Sequence, residues 1–134
     1  GADTIRVQQL IKENLDVYLK RNKLIERAHV FEKTIAISKA NEGEVFDQVI
    51  IAQAADTLLM MTGITASFVI SALNDGQIGI SARSLGDINV QLVMEKLGGG
   101  GHLSNAATQL SNMTLDEAET LLKETLKEYL EGRN

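Results

Sequence analysis

The residues best suited to chemistry lie in three short stretches: Arg83-Ser84, the run Gly98-Gly99-Gly100-Gly101-His102, and Asn105 just beyond it. Four consecutive glycines are entropically expensive to order, and a single one suffices to stop a helix. A side-chain-free backbone can, however, approach a ligand closely, and its N–H groups can converge on an anion as a nest. His102 could donate to a phosphoryl oxygen or to a base. Arg83 carries a planar guanidinium suited to bidentate phosphate contact, although a strand-end arginine is as readily just exposed. Ala106 and Ala107 follow Asn105 and leave room for a ligand or for tight strand packing; the sequence does not separate the two. The chemistry indicated is recognition of a phosphate-bearing small molecule.

The neighbouring pattern limits that chemistry. The glycine run follows a predicted helix, whose C-terminus carries partial negative charge and repels phosphate. The amides and His102 must outweigh this field, or the ligand must sit beside the turn. No Gly-Lys-Ser/Thr follows, so the run is not a Walker loop, and no strand leads into it as in a dinucleotide fingerprint. The second histidine, His29, is remote and reads as structural or surface, so no metal site is expected in this chain. With no cysteine and no nucleophile elbow, no catalytic residue is assigned here. A net charge of −5 and an aromatic content of 4% make a nucleic-acid partner unfavourable. No apolar run approaches the roughly 20 residues that span a bilayer, and the lack of cysteine fits a cytoplasmic location.

The elements that must position these residues follow from periodicity. A 134-residue chain with 44% hydrophobic residues fits one domain with a real core. Residues 4–28 read as a helix capped by Asp3 or Thr4, with an apolar stripe that includes Leu15, Tyr18 and Leu19. Residues 33–39 read as a strand, and residues 47–62 as a helix apolar nearly all round and therefore buried, capped by Asp47 and stopped at Gly63. Residues 64–73 and 77–84 form a hairpin. A two-residue turn would set Ile70 beside Ser81. A three-residue loop, Asn74-Asp75-Gly76, instead pairs Ala72 with Ile78, Ile70 with Ile80 and Phe68 with Ala82, gathering the apolar residues on one face. It also sets Ser67 opposite Arg83. A helix over 89–97 opens at Asn89 or Asp87, a strand covers 106–111, and Thr114–Glu117 is a capping box opening a helix over 115–131. The fold class is α/β (α+β), a mixed sheet of about four to five strands flanked by helices.

Ile80-Ser81-Ala82-Arg83-Ser84, then Ile88-Asn89-Val90, the glycine–histidine run and Asn105-Ala106-Ala107 together carry a family pattern. The chain resembles the DHH-associated C-terminal domain of the DHH phosphoesterase superfamily. In detail it is most similar to the GdpP/YybT group, membrane-anchored cyclic di-AMP phosphodiesterases. Many relatives have glycine where this chain has Thr108.

The resemblance implies a substrate-binding lobe, residues 29–134, facing a separate DHH domain in which manganese ions activate the hydrolytic hydroxide. Residues 1–28 would be the connector from that missing domain. It implies nucleotide or phosphate contacts from Arg83, Ser84, Gly98, Gly99, Gly100, Gly101, His102 and Asn105, with cyclic di-AMP or a pApA-like nucleotide as the ligand. It further implies a cytoplasmic lobe without direct membrane contact, on a protein anchored in the cell membrane. Self-association into a homodimer stays open, and an RNA- or oligonucleotide-binding module of a DHH-type exonuclease is the alternative.

Overall fold

A computed structural model describes residues 13–133. Its elements are α1 (Leu15–Glu26), β1 (His29–Phe31), β2 (Ile35–Lys39), α2 (Gln48–Leu59), β3 (Ala66–Ala72), β4 (Ile78–Ser84), α3 (Val90–Lys96), β5 (Gly100–His102), β6 (Asn105–Leu110) and α4 (Leu115–Gly132). The strands form one mixed sheet in the order β1-β2-β3-β4-β6-β5. Only β2 and β3 run parallel, joined by the crossover through α2.

Both faces of the central strands are covered. On one, Ile37, Phe68, Ile70, Ile80 and Ala82 pack with Val93 and Met94 of α3 and with Leu122 and Leu126 of α4. On the other, Ala36 and Val69 pack with Leu24 of α1 and with Ile51, Ala54 and Ala55 of α2. The β3–β4 hairpin has the expected register, Ala72↔Ile78, Ile70↔Ile80, Phe68↔Ala82 and Ser67↔Arg83. Gly76 takes φ 82°, and Leu73 N–H donates to Gln77 O across 2.8 Å to close the three-residue loop. The serine side of this hairpin is not wet. Ser67, Ser71 and Ser81 are buried, and Ser67 Oγ donates to Ala55 O at 2.6 Å. Short hydroxyl side chains let α2 lie close to the sheet, and Ser67 and Ser71 satisfy their polarity on main-chain carbonyls.

Four expectations need correction. The sheet has six strands rather than four to five. β1 was hidden because its turn into β2 uses Glu32 and Lys33 at φ 52° and 74°, where neither glycine nor asparagine advertises a reversal. The helix expected over 4–28 does not run through Asn14, whose extended backbone and side chain, accepting from Asp16 N–H, cap α1; residues 4–12 of that expectation lie outside the described residues. The expected caps Asp3 and Thr4 lie outside the described residues. α2 is capped by Asp47 as expected but ends at Leu59 rather than at residue 62. It is also buried on one side only, since Val49 is 62% exposed. α4 opens with the expected capping box.

Candidate functional site

The glycine run is mostly an element of the fold rather than a loop. Asn89 caps α3 by accepting from Leu92 N–H at 3.2 Å. At the other end of α3, Gly98 N–H donates to Glu95 O (3.1 Å) and Gly99 N–H to Met94 O (2.8 Å). This is a Schellman turn, with Gly98 at φ 85°. Both amides are therefore spent on the helix end and are not offered to an anion. A Cβ on Gly99 would lie 2.2 Å from Ala107 O and 2.5 Å from Thr108 Cβ; one on Gly101, at φ 142°, would lie 2.6 Å from Ala106 Cα. The Thr108 hydroxyl donates to Leu97 O at 2.9 Å, satisfying another terminal carbonyl of α3. From Gly100 onward the chain is β5, the sheet edge, paired with β6. A Cβ on Gly100 would meet nothing within 4 Å. Of the four glycines, Gly100 is the one whose bareness the fold does not require.

Register then brings distant residues together. Ser67 faces Arg83, Arg83 faces Asn105, and Asn105 faces His102. Direct cross-strand partners project from the same side of a sheet, so Ser67, Arg83, Asn105 and His102 form one row across β3, β4, β6 and β5. The next row on that side is Ser81, Ala107 and Gly100. Over β3 and β4 this face lies under α2; beyond β4 it opens, with His102, Asn105 and Gln109 exposed and Ala107 half-buried. The row is an open surface. A larger concavity, about 540 Å³, lies elsewhere, between Lys39 and the start of α4.

Arg83 is not an uncommitted cation. Its side chain is 12% exposed; Nε donates to Asp56 Oδ1 at 2.6 Å and Nη1 to Ala82 O at 2.9 Å. Asp56 gave one signal in the sequence, as the only charged residue of α2, but its partner is 27 positions away. His102 Nδ1 lies 3.2 Å from Ser104 Oγ, leaving Nε2 without a partner among the described residues. The Leu103-Ser104 turn that carries His102 is held by Val90 N–H on Leu103 O and by Ser84 N–H on Ser104 O, both at 3.0 Å. Ser84 itself does not join the row. Its partner Ala66 lies on the opposite face, and its buried hydroxyl accepts from Gly86 N–H at 2.9 Å. It braces the turn after β4, so Arg83 and Ser84 do not act as a contiguous contact pair.

Among the described residues no three His, Cys, Asp or Glu side chains converge to hold a metal ion. His29 is near the opposite edge of the sheet, 3.5 Å from Glu119. No helix of the described residues is long and apolar enough to cross a membrane.

A family profile described as the DHHA1 domain matches residues 32–132. The cyclic-di-AMP phosphodiesterase GdpP of Geobacillus thermodenitrificans is 61% identical over 98% of this chain and 20% of its own length. The cyclic-di-AMP phosphodiesterase PdeA of Listeria monocytogenes is 54% identical over the same shares. The chain thus spans about a fifth of the length of these curated relatives. Among solved structures, an exopolyphosphatase-related protein from Bacteroides fragilis superposes with a TM-score of 0.77 at 15% identity, over 96% of this chain and 39% of that one. At that identity the likeness is one of fold.

Proposed function

Since the chain belongs to the DHHA1 domain family, we propose that it is the substrate-recognition lobe of a cyclic di-AMP phosphodiesterase whose hydrolytic centre lies on a DHH domain of the same polypeptide. The observation that carries this reading is the row of Arg83, Asn105 and His102, beside the bare backbone of Gly100, on a part of the sheet face that opens to solvent. The names of the close relatives supply the ligand, cyclic di-AMP; opening one of its two phosphodiester bonds gives the linear nucleotide pApA.

Each residue has a distinct task. Gly100 lets the main chain come within van der Waals contact of the ligand. His102 Nε2 and the Asn105 amide hydrogen-bond phosphoryl oxygens or a base edge, and Arg83 adds positive charge from the covered side. Gly98, Gly99 and Gly101 shape the strand, and Ser84 holds the turn. Residues 1–28 make the connection to the DHH domain, where manganese would supply the bond-breaking chemistry. The lobe contributes orientation and charge stabilisation when the second wall closes over the row.

Two measurements test this together. By titration calorimetry the 134-residue chain binds pApA weakly, and with manganese it turns over no cyclic di-AMP. In the intact polypeptide, His102→Ala lowers kcat/KM by about ten- to a hundredfold with an unchanged melting temperature. Robust hydrolysis by the chain alone would overturn the division of labour, and unchanged kinetics in H102A would remove His102 from the site.

A further inference from the structure

We infer that Asp56 is a positioning residue for the phosphate row: it accepts the Arg83 Nε–H and so holds the guanidinium aimed along the row, without itself touching the ligand. This rests on the reading of Arg83, Asn105 and His102 as that row. A guanidinium is planar, so contacts on two of its nitrogens set both its plane and its direction. Here they are Asp56 Oδ1 on Nε at 2.6 Å and Ala82 O on Nη1 at 2.9 Å. Nη2 is left without a partner among the described residues, on the residue directly opposite Asn105. A long, many-rotamer side chain already fixed in this way need not be ordered when ligand arrives.

The exposures favour positioning over simple stabilisation. Arg83 is 12% exposed and Asp56 58%. So exposed a carboxylate adds little to folding stability, and the packing of α2 on the sheet is supplied by Ile51, Ala54 and Ala55. Its negative charge opposes a nearby phosphate, but solvent screens that repulsion, whereas the hydrogen bond to Nε is direct.

The test uses the intact polypeptide with cyclic di-AMP as substrate and pApA as binding probe. Asp56→Ala raises KM and the pApA dissociation constant about tenfold, with kcat within about twofold and the melting temperature unchanged. Asp56→Asn keeps an acceptor for Nε–H and restores near-normal KM. In ¹⁵N spectra the Arg83 Nε–H signal is sharp in the wild type and in D56N and broadened in D56A. Unchanged KM in D56A overturns the assignment, as does a parallel fall of kcat and melting temperature, which would mark a structural role. Failure of the wild type to bind pApA would instead overturn the underlying reading of the row, and this assignment with it.

Discussion

One side of this sheet holds two regions built from equally small residues and put to opposite uses. Over β3 and β4, Ser67, Ser71 and Ser81 are buried beneath α2. Over β5 and β6, Gly100, Ala107 and Asn105 continue the same rows with His102, yet they face solvent. Small side chains on a sheet permit close approach; they do not say by what. In the covered half the approaching body is a helix of the same chain. In the open half the described residues supply none, which is why a ligand and a second domain wall are the proposed occupants.

The comparison breaks most severely if the covered half proves dispensable. Ile51→Ala, at a fully buried position of α2 on this covered half, is expected to cost about 2–5 kcal/mol in denaturant unfolding. A loss below about 1 kcal/mol would mean the core is not where the burial places it.

The glycines sharpen the contrast within the open half. Gly99→Ala drives a methyl group into the β6 backbone and should destabilise the domain by about 2 kcal/mol or more. Gly100→Ala places its methyl in open space, so stability should change by no more than about 0.5 kcal/mol while pApA affinity falls. Equal stability losses for the two would assign the whole run to folding.

The smallest effect is on acid stability, set by ion pairs away from the open half. Glu44 is held below the usual carboxylate range by hydrogen bonding from Arg27. Burial pushes the Glu119 carboxyl up, but Lys39 and Lys123 pull it below the usual range overall. Both carboxyls bind protons less readily in the folded state than in the unfolded chain. Their stabilisation is therefore present above the ordinary carboxylate range and is lost as pH falls through the lowered folded values. A melting temperature that drops on acidification in the wild type, and less steeply in Glu119→Gln, is the expected result; parallel curves would remove Glu119 from the effect.

Much of the fold was legible from local rules. The Asp47, Asn89 and Thr114 caps and the three-residue hairpin loop all follow from side-chain chemistry within a few residues. What escaped had a physical reason. β1 turns through Glu32 and Lys33, held at positive φ without a glycine. The glycine run resembles a free loop until β6 is placed against it, when the clashes of Gly99 and Gly101 become visible. Arg83 looks uncommitted until Asp56 arrives from another element.

The sequence by itself determined most of the elements, the hairpin register, the apolar face of the sheet and the family, because these depend on periodicity, capping and motif spacing, all local along the chain. Only the tertiary structure decided which residues share a row, which glycines are demanded by packing, that Ser84 faces away and that Arg83 is held by Asp56. Those depend on strand order and helix placement, which bring together residues from distant parts of the chain whose spacing carries no trace of the meeting.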